Sequence, residues 1–292
     1  MSVRVAIHHY THYEYDRLVL LSPHLIRLKP AAHSRALIES YSLTIEPANH
    51  SLHWQQDPFG NFIARVDFWE SMPKMSIKVE ITALLEPMNP FDFFLDTYAE
   101  SFPFTYEDQL RKDLMPYLEV AELGPLLKQW LQKIDQTKRG TVEFLILLNQ
   151  QVFQDIAYSI RMEPGIQTTE ETLASAIGSC RDSGWFLVQV LRHYGLAARF
   201  VSGYLAQLLT DETRLKDPLG TKQDSLALHA WAEVFIPGAG WIGLDPTSVM
   251  LATEGHIPLA STPDPASAAP VTGTTEICET TLTYVNTLDR LS

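Results

Sequence analysis

The sequence predicts an α+β fold in which a β-rich, sandwich-like N-terminal domain precedes a core of one helix packed on an antiparallel sheet. Residues 1–90 alternate apolar and polar side chains between turn signals, which is typical of short strands. Helical spacing of apolar residues follows between 106 and 159. A further helix starting at Cys180 and a hairpin over 226–246 complete the pattern. We therefore expect a β-rich domain over 1–90, a helical connection over 91–140 and an α+β core over 141–292.

The individual elements follow from the same patterns. Asp57 to Asn61 forms a turn, because Pro58 fixes φ and Gly60 tolerates a positive φ. The predicted strands of the first domain are Val3–Tyr15, Leu18–Leu28, Ala36–Glu46, Phe62–Trp69 and Met75–Leu85. The predicted helices are Tyr106–Leu118, Leu123–Ile134 and Thr141–Ser159, and a last strand over Glu276–Leu288 closes a sheet.

Composition excludes several classes of protein. The chain carries 35 acidic and 22 basic residues, a formal net charge of −13, which argues against nucleic acid or an anionic membrane as the main partner. No apolar run approaches the ~18 residues that a membrane-spanning helix needs, and no signal peptide is evident, so a cytoplasmic protein is expected. The oligomeric state is left open.

Two residue types could suggest a metal site, and neither does so here. The chain has only two cysteines, Cys180 and Cys278, which excludes a cysteine-rich zinc module and a disulfide framework. Five histidines of the first domain have no carboxylate or cysteine at a ligand spacing, so we expect exposed or edge-strand histidines: His8, His9, His12, His50 and His53. No metal and no cofactor is predicted.

Cys180 is the candidate nucleophile. It ends a loop of small residues and starts a helix whose apolar face runs through Leu187, Val188 and Leu191. Free N–H groups and the dipole at a helix N-terminus stabilise a thiolate, and they also suit an oxyanion. Asp182 in the first turn opposes the thiolate electrostatically, so we interpret it as a structural residue that holds the loop.

The histidine partner is His229 rather than His193. His193 lies along the same helix as Cys180, about 20 Å away at ~1.5 Å per residue. His229 lies on a predicted strand that turns at Pro237, and the second strand ends at Asp245. A turn centred on Pro237 brings His229 and Asp245 opposite one another or nearly so, within reach of a hydrogen bond.

The two faces of this hairpin differ. One face is apolar and predicts the core: Leu228, Ala230, Ala232, Val234, Ile236, Ile242 and Leu244. The other face mixes polar and aromatic groups, as the wall of a cleft would: His229, Trp231, Glu233, Phe235, Trp241, Gly243 and Asp245. The alternative is an ordinary solvated sheet face.

These residues predict a specific chemistry. The Cys180 thiolate attacks a carbonyl carbon, His229 exchanges the proton, and Asp245 holds the imidazole tautomer. The thioester intermediate then reacts with water, which gives hydrolysis, or with an amine, which gives transamidation. The triad does not distinguish the two outcomes, and hydrolysis is favoured because no amine site is evident.

The sequence resembles the transglutaminase-like superfamily, specifically bacterial members with a β-rich region ahead of the core. The order Cys, His, Asp is the order of that family, and the similar motifs fall within about residues 140–256. The motifs are Gly178-Ser179-Cys180-Arg181-Asp182, Leu191 to Tyr204, His229-Ala230-Trp231-Ala232-Glu233-Val234 and Gly240-Trp241-Ile242-Gly243-Leu244-Asp245-Pro246-Thr247.

The resemblance implies a papain-like core and a peptide or protein substrate, with an amine acceptor as an open possibility. Members of the family include cysteine proteases, amidases, protein cross-linkers and catalytically silent binding modules. No acidic loop resembles a calcium site, so no calcium dependence is expected. An upstream side chain often completes the oxyanion hole in this family, and Tyr158 and Gln167 are the candidates. The polar stretch 208–223 is interpreted either as a loop over the active site or as a plain surface loop.

Overall fold

The computed structural model of the protein describes residues 2–209 and 223–291. Most of the stretch 208–223, interpreted above as a loop near the site, lies outside the described residues. The strands of the first half are β1 (Val3–Val19), β2 (His24–Ile26), β3 (Leu37–Glu46), β4 (His50–Gln56), β5 (Phe62–Phe68), β6 (Met72–Leu85), β7 (Ser101–Phe102) and β8 (Arg139–Gly140). Those of the second half are β9 (Ala157–Tyr158), β10 (Ile177–Gly178), β11 (Ala198–Gln207), β12 (Ser225–Ile236), β13 (Gly240–Asp245), β14 (Met250–Leu251), β15 (His256–Thr262), β16 (Val271–Thr272) and β17 (Thr280–Leu291).

Six α-helices lie between residues 108 and 193 of the described chain. They are α1 (Asp108–Asp113), α2 (Met115–Leu118), α3 (Pro125–Lys133), α4 (Thr141–Asp155), α5 (Thr169–Ser175) and α6 (Cys180–His193). The apolar side of α4 is buried through Phe144, Leu148 and Val152, as its spacing predicts. α6 is buried almost throughout, which makes it the central helix of the core.

The N-terminal region contains two four-stranded sheets, in the orders β17-β1-β6-β3 and β16-β2-β5-β4. Their apolar faces enclose one core, with Val5, Ile7, Val66 and Ile77 among its buried residues. The sheet-rich N-terminal region is therefore as predicted. β17 and β16, from the C-terminal end of the chain, complete these sheets by pairing with β1 and β2.

The C-terminal strand β17 joins a sheet of the N-terminal region and not the sheet of the core. The core was expected to run to residue 292, but its own sheet ends with β15. Strand alternation predicts that the last segment is a strand, yet it carries no information about which sheet accepts it. β17 joins β1 because β6 pairs with only one edge of β1. The backbone N–H and C=O groups of the other edge pair with β17 over twelve residue pairs.

Two predictions about the N-terminal region are wrong, and one strand of it was not predicted. The predicted strand Leu18–Leu28 shrinks to three residues, because β1 continues to Val19 and an irregular stretch follows. β4 was not predicted, since its side chains are mostly polar and both faces are largely exposed. His9 is buried on an interior strand rather than exposed or at an edge, and burial lowers its pKa to about 4 despite a hydrogen bond to Asn286.

The second half of the chain forms a five-stranded sheet in the order β14-β13-β12-β11-β15, antiparallel throughout. α6 packs on the face of β12 that holds Ala230, Ala232 and Val234, so the predicted apolar core face is confirmed for these residues. Leu228 instead packs against the N-terminal region. Tyr204, Ile257 and Leu259 of this sheet also pack there, so the N-terminal region covers part of the other side of the sheet.

Candidate active site

Cys180 is the first residue of α6, and Ser179 immediately before it is the N-cap residue. The backbone N–H and the hydroxyl of Ser179 both donate to Asp182 Oδ2, at 2.9 and 2.7 Å. This reciprocal contact of the first turn fixes where the helix begins. Cys180 is half-buried, and the N–H groups of this first turn have no acceptor within the helix.

Asp182 is tied to the loop before the helix. Its carboxylate accepts from the Arg161 guanidinium at two distances of 3.0 Å and from the Gln167 N–H at 2.8 Å. Burial raises the pKa of Asp182, but these hydrogen bonds and those of Ser179 outweigh it and lower the pKa overall. The negative charge that opposes a thiolate in the first turn is thus compensated by Arg161. Sequence reasoning missed Arg161, which sits in an irregular loop.

The hairpin of β12 and β13 turns at Pro237 to Ala239, with Ile236 paired to Gly240. Ala232 pairs with Leu244, so the register places Asp245 diagonally from His229 rather than opposite it. The two side chains still share a face, because the offset is two residues. The turn is centred on Gly238, with a φ of 88°, one residue later than Pro237, so the two residues lie nearly opposite one another rather than directly opposite.

His229 lies between Cys180 and Asp245. Its Nε2–H donates to Asp245 Oδ2 at 3.0 Å, and the Cys180 side chain lies near enough to the ring to raise its pKa. Because Nε2 is used by Asp245, Nδ1 is the nitrogen left to exchange a proton with the thiol. Burial lowers the pKa of His229, but its hydrogen bond to Asp245 and the nearby Cys180 side chain outweigh this and raise the pKa. The arrangement favours an imidazolium beside the sulfur.

Asp245 is fully buried and accepts five hydrogen bonds. Oδ2 accepts from His229 at 3.0 Å, from the Ser248 hydroxyl at 3.0 Å and from His256 Nε2 at 3.3 Å. Oδ1 accepts from the N–H and hydroxyl of Thr247 at 2.9 and 2.8 Å. Burial raises the pKa of Asp245, but the contacts with His229 and His256 dominate and hold it far below the usual range. Asp245 is therefore a fixed anion.

His256 is a residue of the site that sequence reasoning missed. Its Nδ1 accepts from the Thr253 N–H at 3.2 Å, so the ring proton is on Nε2, which donates to Asp245. The pairing of β15 with β11 brings His256 to Asp245. The sequence signal was weak, because a lone histidine at the start of a buried strand has no partner at a recognisable spacing.

The tautomer of His256, with its proton on Nε2, argues against a metal ion beside Asp245. In the described parts of the chain, His229, Asp245 and His256 form a cluster with ligand atoms within 4.8 Å of one another. A ligating histidine offers a lone pair to the metal and donates a hydrogen bond from its other nitrogen. In His256 the other nitrogen accepts instead, and Nε2 carries the proton. The donor set therefore suits a hydrogen-bonded anion better than a metal.

The two oxyanion candidates fall in different places. β9 runs parallel to β10, with Tyr158 beside Gly178, so Tyr158 lies close to the start of α6. Burial raises the pKa of Tyr158, and nearby Cys180, Asp245 and Tyr284 raise it further. Gln167 faces the loop: its carboxamide oxygen accepts from Thr172 at 3.2 Å, and its N–H donates to Asp182. The structure brings Tyr158, but not the Gln167 side chain, toward the nucleophile.

The two tryptophans lie on the predicted face of the hairpin, beside a cavity. Trp231 is buried, with its ring against Gly203 and Gly243, and Trp241 stacks with the Arg199 guanidinium at 4.2 Å. Both line a cavity of about 310 Å³, to whose lining the N-terminal region contributes His33 and Arg35. Sequence alternation identified the face but could not show what packs over it.

Two family models match the chain. Residues 5–83 match the bacterial transglutaminase-like N-terminal region, and residues 128–246 match the transglutaminase-like superfamily, a span that includes Cys180, His229 and Asp245. The chain belongs to the transglutaminase-like superfamily. This transglutaminase-like protein therefore has the family core and the accessory region that its sequence resembles.

Relatives extend over nearly the whole transglutaminase-like chain. An uncharacterized protein of Mycobacterium tuberculosis is 27% identical over 281 residues, covering 92% of this chain and 87% of the relative. An uncharacterized protein of Mycobacterium leprae is 22% identical over 273 residues, covering 92% of each chain. A crystal structure from Cytophaga hutchinsonii, described as a candidate cysteine protease, aligns with a TM-score of 0.69 at 16% identity. It covers 100% of this chain and 92% of that one, and confirms the predicted α+β fold.

Among the described residues, no helix has both the length and the apolar character required to cross a bilayer.

Proposed function

We propose that this transglutaminase-like protein is a cysteine hydrolase that cleaves peptide or isopeptide amides through a thioester on Cys180. One observation carries the proposal: Cys180 at the N-terminus of α6 lies near His229, whose Nε2 donates to Asp245 at 3.0 Å. This is the arrangement of nucleophile, proton carrier and orienting anion that acyl transfer by a thiol requires.

The acylation step uses each of these groups at a stated atom. The Cys180 thiolate sulfur attacks the amide carbonyl carbon and forms a C–S bond, while the carbonyl oxygen becomes an oxyanion. We expect free N–H groups at the start of α6 to donate to that oxygen, together with the hydroxyl of Tyr158, which lies beside Gly178 near the start of that helix. The C–N bond then breaks, and His229 gives its proton to the leaving nitrogen. The products are a free amine and the thioester.

Deacylation returns the enzyme to its starting state. His229, now neutral, takes a proton from water as the water oxygen attacks the thioester carbon. The C–S bond breaks, a carboxylic acid leaves, and the Cys180 thiolate faces a protonated His229 again. Asp245 stays ionised throughout, since five donors hold its charge. A reducing compartment such as the cytoplasm suits this cycle, because Cys180 has to remain a free thiol.

The acyl acceptor is the point that an experiment has to decide. The purified protein is incubated in ¹⁸O-labelled water with a broad peptide library, and in parallel with a glutamine-bearing protein and a fluorescent primary amine. We expect cleaved peptides with one ¹⁸O in the new carboxyl group, and no more fluorescence in the protein than in a Cys180→Ser blank. Cys180-dependent amine incorporation that exceeds hydrolysis would establish a transamidase instead. An absence of both products would leave a binding module as the better explanation.

A further inference from the structure

The nucleophile is bordered by an exposed group of apolar side chains that comes from two separate parts of the chain. Tyr158 and Met162 precede α6, with exposed fractions of 56% and 62%, and Tyr284 and Leu282 on β17 are 49% and 46% exposed. We call these four residues the apolar collar. The Tyr284 hydroxyl lies 3.9 Å from Met162 Sδ, and Tyr284 contributes to the electrostatic environment of Tyr158 together with Cys180. The two parts therefore meet beside the thiol.

The collar residues of β17 lie on the face of the strand that packs against the N-terminal core elsewhere, and they are nevertheless exposed. Leu282, Tyr284, Asn286 and Leu288 alternate onto one face of the strand. At the far end of that face Leu288 is only 9% exposed and packs in the N-terminal core, and Asn286 is half-buried. The inward face is therefore covered up to Asn286 and left open at Tyr284 and Leu282. Adjacent exposed apolar residues on the inward face of a strand are typical of a binding surface.

The two arginines that lie before α6 and within its start already have hydrogen-bond acceptors within the protein. The Arg161 guanidinium binds Asp182, and the Arg181 guanidinium donates to the carbonyl oxygens of Arg161 and Glu163. The collar therefore presents rings and a thioether and offers little attraction to a charged side chain. β17 also forms a ladder with β1 alone in the part of the chain that the structure describes, which makes it an edge strand. Edge strands accept extended backbones.

We infer that the apolar collar binds a large apolar or aromatic side chain of an extended polypeptide substrate, close to the amide that Cys180 attacks. This inference rests on the proposed hydrolase activity and names its substrate class. β17 lies outside both spans that match the family, 5–83 and 128–246, so this part of the specificity comes from the C-terminal strand. Folded proteins bury such side chains, which makes a flexible or unfolded segment the preferred substrate.

The test uses dipeptidyl chloromethyl ketones that alkylate Cys180 and carry phenylalanine, glycine or glutamate at each of the two positions in turn. We expect phenylalanine at one position to react about tenfold faster than glycine, with glutamate no faster than glycine. Tyr284→Ala and, independently, Met162→Ala should lower the phenylalanine-to-glycine ratio by about threefold or more. Val285→Ala is the matched control, because Val285 is 57% exposed on the opposite face of β17, and its ratio should equal that of the wild type.

The outcomes separate this inference from the proposed function. Equal rates for the three side chains, or a ratio that both collar variants leave unchanged, would overturn the collar inference while labelling of Cys180 still supports the hydrolase. A failure of every probe, iodoacetamide included, to label Cys180 faster than Cys278 would overturn the proposed function itself. Size-exclusion chromatography is run in parallel: a dimer that Tyr284→Ala dissociates, with no effect on the ratio, would show that the collar is a self-association surface.

Discussion

We expect the Cys180→Ser variant to lose at least about 10³-fold in kcat/KM for peptide hydrolysis while it folds like the wild type. A serine hydroxyl is a far weaker nucleophile than a thiolate, and a neighbouring imidazolium cannot accept its proton. The raised pKa of His229 means that this histidine is protonated at neutral pH, so it suits a thiolate and not a hydroxyl. Serine is close in size to cysteine, so the start of α6 should be preserved.

The matched control for this prediction is Cys278→Ser. Cys278 is the other cysteine of the chain, half-buried beside Thr280 at the start of β17. Hydrolysis is followed by mass spectrometry of the peptide products, and folding by circular dichroism. Residual activity of Cys180→Ser within tenfold of the wild type, or an equal loss in Cys278→Ser, would show that Cys180 is not the nucleophile.

The second large effect is expected for Asp245→Asn, with a fall of about 10²- to 10⁴-fold in kcat/KM. An asparagine has one acceptor oxygen, whereas five donors converge on the Asp245 carboxylate. If the amide nitrogen takes the place of Oδ1, it cannot accept the hydrogen bond from the Thr247 N–H, because both groups are donors. If it takes the place of Oδ2, it meets His229 and His256, and the imidazole loses the acceptor that fixes its tautomer.

Loss of the charge adds to this effect. Without an anion at 3.0 Å, the pKa of His229 should fall, and the Cys180 thiolate loses its cationic partner at neutral pH. Asp92→Asn, at an exposed position, is the control for the same chemical change. Kinetics are measured for both variants together with thermal unfolding, so that a loss of folded protein is not mistaken for a loss of catalysis. Near-wild-type kcat/KM in a folded Asp245→Asn protein would contradict an orienting role for Asp245.

Local sequence signals were sufficient for the parts of the site that lie close together along the chain. The loop of small residues and the apolar stripe through Leu187 and Leu191 predict a helix that begins at Cys180, as the structure has it, because loop composition and periodicity are local properties. Glycines in the turn define a hairpin that joins His229 to Asp245. The exact register was not predictable, since Pro237, Gly238 and Gly240 allow more than one turn.

Contacts between distant segments were not encoded in such signals. His256 reaches Asp245 only because β15 adds to the far side of β11, and nothing within the His256 strand indicates that pairing. The cover over Trp231 depends on how the N-terminal region packs on the catalytic sheet. The C-terminal strand β17 was predicted as a strand, but its partner β1 lies more than 260 residues earlier in the chain. Such long-range pairings depend on the whole fold.

The most direct test of the central claim is the pH dependence of Cys180 alkylation by iodoacetamide, in the wild type and in His229→Ala. An ordinary cysteine has a pKa of about 8.5 and is almost entirely thiol at pH 6. The raised pKa of His229 keeps the imidazole protonated as pH rises through neutrality, so the cation that stabilises a thiolate is present from pH 6 to 8. We predict rapid labelling at pH 6 that His229→Ala slows by about 10- to 100-fold. Slow labelling that increases only near pH 8.5, with the same profile in both proteins, would contradict an activated Cys180–His229 pair.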